Sequence, residues 1–209
     1  MKISQLIILS ALTATTSLAH AAITVFSDNF DSYTPQLNWG TPLPNPLPNG
    51  WAVTNGSVDL IDSSGSYFTN PAPLASNPTG NYIDLDGSTN KAGYLQNILN
   101  LSAGIQYTLS FDLAGSQRGS TENVNVTFGN IIGSYSPTNL LQFTNHTLDF
   151  TPTVTGDYSI IFKNQGGDNI GALLDNVNVT AVPEPETYAM LLAGLGLMGF
   201  VARRRNQQA

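Results

Sequence analysis

The strongest constraint on the fold is a series of short runs in which apolar and polar residues alternate. In the clearest run the apolar positions are Tyr107, Leu109, Phe111 and Leu113. Successive side chains of a strand point to opposite faces, so a period of two is typical of a half-buried β-strand. Further runs of this kind lie at residues 52–61, 82–85, 94–99, 124–128, 147–150, 158–163 and 173–180. The body has no sustained helical periodicity, and it therefore predicts an all-β sandwich of about eight or nine strands.

A proline-rich segment at residues 34–50 interrupts this pattern. Its prolines are Pro35, Pro42, Pro44, Pro46 and Pro48. Because proline fixes φ and lacks an N–H donor, we expect an extended surface loop that covers an edge or one end of the sandwich.

The amino-acid composition excludes several kinds of functional site and partner. The 209-residue chain has no cysteine, which excludes disulfides, thiolate metal sites and a cysteine nucleophile. Between Ala22 and Val182, three cationic residues face twelve carboxylates, a formal balance of −9. An acidic body repels phosphate backbones, so nucleic acid is not an expected partner. A divalent cation or a neutral polymer is compatible with this charge.

The N-terminus has the three parts of a signal peptide. Lys2 supplies the positive charge, residues 6–12 are largely apolar, and Ala19 and Ala21 flank His20 in a small-x-small cleavage pattern. The alternative is a membrane anchor, for which the apolar run is too short. We therefore predict cleavage after Ala21 and export.

The C-terminus also has three parts, in a fixed order. They are the motif Pro183, Glu184 and Pro185, an apolar run at 189–202, and the cluster Arg203, Arg204 and Arg205. The prolines keep the motif extended and accessible to a protease. As a helix the apolar run would span about 21 Å, less than the roughly 30 Å of a bilayer core. The arginines would hold the cytoplasmic end in place.

This order resembles the PEP-CTERM sorting signal. The resemblance implies a short transmembrane helix, recognition by a membrane-embedded exosortase, and cleavage near Pro183, Glu184 and Pro185. It also implies transient residence in the inner membrane of a Gram-negative bacterium that makes exopolysaccharide. The product would then reach the cell surface or the biofilm matrix. Three segments follow: a signal peptide at 1–21, a β-sandwich domain at 22–181 and the sorting signal at 182–209.

The body resembles the choice-of-anchor C type of exported domain, a relative of galactose-binding-like jelly rolls. The phrases that carry the resemblance lie at residues 50–60, 82–87, 107–115 and 174–177. It implies a two-sheet jelly roll and no single agreed activity.

The same resemblance implies a structural Ca²⁺ where the first and last strands meet. Asp31 and Asp175 match the two acidic ligands of the related jelly rolls. Carboxylate oxygens are ligands that Ca²⁺ prefers. The alternative is that Asp31 opens a turn and Asp175 caps one through nearby backbone N–H groups. Both interpretations stay open at this point.

Sugar binding would use exposed aromatic faces flanked by polar side chains. Trp39, within the proline-rich segment, is the best candidate for stacking on a sugar, whereas Trp51 begins a strand and is expected in the core. Four tyrosines near loops are weaker candidates: Tyr33, Tyr67, Tyr94 and Tyr135.

Catalysis is not expected. His146 is the only histidine left after signal cleavage, and we interpret it as a polar surface residue because no Gly-x-Ser-x-Gly motif accompanies it. Glycoside hydrolysis would need a carboxylate pair drawn from Asp59, Asp62, Asp84, Asp86, Asp112 and Glu122. The sequence thus favours a non-catalytic binder of polysaccharide or matrix proteins. The alternatives are a purely structural, self-associating matrix component and a glycan-active hydrolase.

Overall fold

The computed structural model describes residues 22–40, 47–62, 80–89, 91–116, 119, 121–138, 142–182, 192–199 and 203. Within these residues the chain forms twelve strands, one short 3-10 turn, Pro48–Gly50, and a helical segment at residues 192–199. The strands are β1 Ile23–Asp28, β2 Gln36–Trp39, β3 Ala52–Thr54, β4 Val58–Asp62, β5 Asn81–Asp84, β6 Tyr94–Leu101, β7 Gln106–Ala114, β8 Val124–Phe128, β9 Ile131–Tyr135, β10 Thr144–Phe150, β11 Gly156–Asn164 and β12 Leu173–Val182.

The strands form two antiparallel sheets. The seven-stranded sheet has the order β10-β7-β12-β5-β4-β2, with β1 also paired to β12. The five-stranded sheet has the order β3-β6-β11-β8-β9. Strand β10 is therefore an edge strand of the seven-stranded sheet, and β9 is an edge strand of the five-stranded sheet.

The core lies between the sheets and is filled by alternate residues of each strand. In β7, Leu109 and Phe111 are fully buried, and in β11 Ile160 and Phe162 are also fully buried. The Phe111 and Phe162 rings, one from each sheet, meet edge to face at 5.2 Å between centroids. The predicted all-β sandwich is confirmed, and the period of two arises because each strand presents one face to this core.

The strand count exceeds the expected eight or nine for two local reasons. The run 52–61, expected as one strand, is broken by a turn in which Asn55 has a φ of 62°. Its first part is β3 of the five-stranded sheet and its second part is β4 of the seven-stranded sheet. The proline-rich segment, expected to be loop throughout, contains β2, which pairs with β4.

Trp51 lies in the core, as expected, and is 1% exposed. Its ring packs against Phe26 at 5.6 Å and against Phe162 at 6.2 Å between centroids. Its Nε1 donates a hydrogen bond of 2.9 Å to the buried carboxylate of Asp28, which also accepts from the backbone N–H of Phe30 and the hydroxyl of Tyr33. Through these hydrogen bonds Asp28, the last residue of β1, is linked to Trp51, the residue before β3.

The chain divides into two compact units, one being Ala22–Glu184 and the other comprising Met1–Ala21 and Pro185–Ala209. In the second unit, residues 192–199 and residue 203 are helical and exposed. Among the described residues, no helix has both the length and the apolar character required to cross a membrane.

Candidate functional site

Several predicted site residues lie outside the described residues. These are the sorting motif Pro183, Glu184 and Pro185, the signal cleavage positions Ala19 and Ala21, and the arginines Arg204 and Arg205. Arg203 is described and is exposed. The roles assigned to all of these residues remain predictions.

Asp31 lies in the turn that follows β1. Its Oδ1 accepts the backbone N–H of Asn81 at 2.7 Å, and its Oδ2 accepts the Asn29 amide at 2.7 Å. Gly80 packs so closely that a Cβ there would lie 1.8 Å from Asp31 Oδ1. Asp31 thus ties the first turn to the start of β5.

Asp175 lies in β12, at a bulge in the pairing with β7, and is 1% exposed. Its Oδ1 accepts the backbone N–H of Asn176 at 2.6 Å. Burial is the main cause that raises its pKa to about 7, and repulsion from Asp31, Asp112 and Asp28 adds to the increase. The fold therefore gathers excess negative charge near Asp175.

Asp31 and Asp175, though distant in sequence, are near enough to act on each other electrostatically. In the part of the chain that the structure describes, no three His, Cys, Asp or Glu side chains lie close enough to hold a metal ion. Calcium at Asp31 and Asp175 consequently stays a prediction.

Trp39 is placed differently from the expectation. It ends β2 rather than standing in a loop, and it is 6% exposed. Its Nε1 donates to Gln36 Oε1 at 2.6 Å, and its ring lies 6.2 Å from that of Tyr33. It does line an open pocket of about 560 Å³ together with Ser32, Tyr33, Thr34, Gln36, Leu47 and Pro48. Most of the Trp39 ring is nevertheless packed inside the protein.

A second pocket, of about 370 Å³, lies where edge strands of the two sheets approach each other. We call it the edge cleft. It is lined by Leu113 of β7, residues of β9 and β10, and the segments next to them: Ser134, Tyr135, Ser136, Pro137, Thr138, Gln142, Thr144 and His146. Its volume is in the range of small-molecule sites.

Two aromatic residues of the edge cleft, Tyr135 and His146, are in tilted ring contact. Tyr135 and His146 lie 4.7 Å apart between ring centroids, and the buried Phe111 supports both, at 5.3 Å and 5.8 Å. The two outer residues come from different sheets, so the pairing of β8 with β9 and of β7 with β10 brings them together. The interpretation of His146 as a plain surface residue is therefore incomplete, since it is half-buried against this aromatic group.

The polar ends of these rings are available to a ligand. Within the described residues, neither the Tyr135 hydroxyl nor the His146 ring has a hydrogen-bond partner. Burial raises the pKa of Tyr135, and burial lowers the pKa of His146 against an opposing effect of Asp112. Both groups are therefore neutral at pH 7, and the neutral imidazole offers one donor and one acceptor.

The two serine hydroxyls of the edge cleft donate to asparagine side chains rather than to His146. The Ser134 hydroxyl donates to Asn125 at 2.8 Å, and the Ser136 hydroxyl donates to Asn123 at 2.7 Å. The geometry suits binding by stacking and hydrogen bonding.

Comparison with known proteins identifies the C-terminal segment. Residues 181–205 match the PEP-CTERM protein-sorting motif, which confirms the resemblance seen in the sequence. No curated protein matches the chain as a whole.

The β-sandwich is similar to solved jelly-roll structures. The CBM22-1 xylan-binding domain from Paenibacillus barcinonensis Xyn10C has a TM-score of 0.50 and 11% identity, over 79% of this chain and 99% of that one. A cyclase from Fischerella sp. TAU has a TM-score of 0.50 and 17% identity, over 78% and 98%. The CBM22-1-GH10 modules of Clostridium thermocellum endo-1,4-beta-D-xylanase 10B, complexed with xylohexaose, give 0.48 and 11%, over 79% of this chain and only 29% of that longer one. The body is thus a jelly roll.

Proposed function

We propose that this chain is an exported protein, processed by an exosortase, whose jelly roll binds a neutral polysaccharide without catalysis. The observation that carries the binding part is the edge cleft, a pocket lined by two aromatic residues, Tyr135 and His146, whose ring centroids lie 4.7 Å apart. After processing, the body would reside on the cell surface or in the extracellular matrix of a Gram-negative bacterium.

The sorting part follows from the PEP-CTERM motif at residues 181–205. Such a tag suits an exosortase substrate that resides only briefly in the inner membrane. The cleavage would fall at Pro183, Glu184 and Pro185, which are a substrate for the protease rather than an active site. Arg203, Arg204 and Arg205 would hold the chain until it is cut.

The binding part follows from the chemistry of a sugar. The C–H faces of a pyranose pack on aromatic rings, while its hydroxyls need donors and acceptors at the rim. Tyr135 and His146 supply the rings, and Gln142, Thr138 and Thr144 place further polar groups around them. Because the body carries a balance of −9, a neutral polymer is favoured over a polyanionic one.

The test is binding of soluble xylan, and of exopolysaccharide from the producing cell, by affinity gel electrophoresis and calorimetry. Xylan is the first probe because a xylan-binding domain shares the jelly-roll fold. Tyr135→Ala and His146→Ala should each weaken binding by about five- to thirtyfold, since ring contacts and hydrogen bonds in such sites contribute on the order of 1–2 kcal/mol.

Tyr94→Ala provides the matched control. Tyr94 lies on β6, where its ring contacts Lys163, and it does not line the edge cleft. The control should bind as the unmodified chain does. If no polysaccharide binds, or if Tyr94→Ala weakens binding as much as the cleft variants do, the proposed site is wrong.

A structural role in the matrix is the second candidate. Strand β9 is an edge strand and exposes Ile132 at 68% and Ile131 at 38%. Exposed apolar edges can pair with another chain. Self-association predicts that the sedimentation coefficient rises with concentration and that Ile132→Lys removes this rise. A chain that remains monomeric at all concentrations would exclude this role.

A further inference from the structure

Three buried polar side chains are near one another in the fold, because Glu122 bonds to Asn164 and acts electrostatically on Asp86. Asp86 follows β5 and is 0% exposed, Glu122 precedes β8 and is 4% exposed, and Asn164 ends β11 and is 1% exposed. None of them lines the edge cleft. They form a cluster that the proposed polysaccharide binding does not use.

Asp86 is only partly satisfied by the protein. Its Oδ2 accepts the backbone N–H of Gly167 at 3.1 Å. Its Oδ1 is buried and, among the described residues, has no hydrogen-bond partner. An unpaired buried carboxylate oxygen keeps its full desolvation cost, so it calls for a proton, a water molecule or a cation.

Asn164 also has a buried side-chain oxygen without a hydrogen-bond donor among the described residues. Its Nδ2 donates to Glu122 Oε2 at 3.0 Å, which fixes the orientation of the amide. Its Oδ1 therefore faces elsewhere and, within the described part of the chain, is buried without a donor. Asp86 and Asn164 thus each have one buried acceptor oxygen that finds no donor among the described residues.

The loop after β11 closes over this cluster. A Cβ at Gly166 would lie 2.2 Å from Asp86 Oδ2, so the backbone of the loop reaches the carboxylate directly. Asp168 in the same loop adds negative charge. Burial is the main cause that raises the pKa of Asp86, with further increases from Asp168 and Glu122.

We propose that Asp86, Glu122 and Asn164 bind a Ca²⁺ ion that fastens the loop after β11 to the end of β5. The donor set is all oxygen, with two carboxylates and one amide, which is the chemistry that Ca²⁺ prefers. Ca²⁺ accepts six to eight oxygens in irregular geometry, with carbonyls and water completing the shell. This site is separate from the pair Asp31 and Asp175 and independent of the edge cleft.

Calcium binding is tested on the full chain in mild detergent. After EDTA treatment, added Ca²⁺ at about one hundred times its Kd should raise Tm by roughly 5–10 °C. Isothermal titration calorimetry should detect the same binding directly. If a water molecule or a proton satisfies the cluster instead, Ca²⁺ leaves Tm unchanged and no heat of binding is seen, which overturns the proposal.

Two near-isosteric variants locate the site. Asp86→Asn and Glu122→Gln keep the shape of the cluster while each removes one charge, and each should weaken Ca²⁺ binding at least tenfold. Asp157→Asn, an exposed position on β11, should bind as the unmodified chain does. Should Asp31→Asn abolish all binding while Asp86→Asn leaves it intact, calcium belongs to the other acidic pair and the proposal is wrong.

Discussion

At the residue scale, Asp175 shows how burial and like charges act together. The side chain is 1% exposed, and its pKa is raised to about 7 from an ordinary value of 3.8. Between these two values the folded chain holds a proton that the unfolded chain has released. The contribution of Asp175 to the free energy of unfolding is therefore greatest at low pH and is lost as pH rises toward 7.

The free energy of unfolding should reflect this titration. In EDTA, the unmodified chain should become less stable as pH rises from about 4 to 7. Asp175→Asn should not show this decrease, because the amide cannot ionise. Urea unfolding across this range measures the effect as the difference between the two chains. Parallel curves from pH 4 to pH 8 would show that Asp175 ionises normally in the folded protein.

Trp39 distinguishes a packing role from a binding role. The ring is 6% exposed and packs near Tyr33, so Trp39→Ala should lower the free energy of unfolding by about 3–5 kcal/mol. Polysaccharide affinity, measured well below the unfolding midpoint, should stay unchanged because the edge cleft is elsewhere. Lost affinity with normal stability would instead support the prediction that Trp39 stacks on the sugar.

At the element scale, the turn between β3 and β4 sends consecutive strands into different sheets. Gly56 makes this crossing possible because a Cβ there would lie 2.2 Å from the carbonyl oxygen of Lys91. The neighbouring N–H of Ser57 donates to the same oxygen at 3.1 Å, so the backbone has little freedom to move away. The turn therefore couples the two sheets through main-chain contacts.

Gly56→Ala should consequently destabilise the domain by roughly 1–3 kcal/mol, the cost typical of overpacking. Gly156→Ala is the matched control, since nothing lies within 4 Å of a Cβ at that position. The control should unfold in urea at nearly the same midpoint as the unmodified chain. Equal midpoints for both variants would mean that the turn relaxes without cost.

The sequence predicted those elements whose pattern is local. Alternation at Leu109 and Phe111 predicts β7 because adjacent side chains must face opposite sides of the sheet. The division of residues 52–61 was missed because apolar positions continue across the Asn55 turn. Strand β2 was missed because the prolines around it favour loop.

The edge cleft could not be predicted from the sequence, because it is formed by contacts between residues that are distant in the chain. The Tyr135 and His146 rings come into contact only because β9 and β10 are edge strands of different sheets. Each residue alone is an ordinary polar position. The proximity of Asp31 to Asp175 was expected only through resemblance to a jelly roll, and the Asp86 cluster emerges from burial, which spacing does not indicate.

At the scale of the whole molecule, two parts with separate roles share one chain. Residues 181–205 match the PEP-CTERM protein-sorting motif, and under the proposed function they direct sorting while the edge cleft of the jelly roll binds polysaccharide. If an exosortase removes the tag as proposed, the mature chain keeps all the residues that line the edge cleft. The account therefore predicts a mature chain that retains the jelly roll, lacks both ends and accompanies polysaccharide.

Mass spectrometry of the protein recovered from the polysaccharide-rich extracellular fraction of producing cells tests this most directly. The account predicts a mature chain that begins at Ala22, ends near Pro183, Glu184 and Pro185, and lacks the three arginines. An intact chain in the cytosol, retaining both Met1 and Ala209, would contradict it.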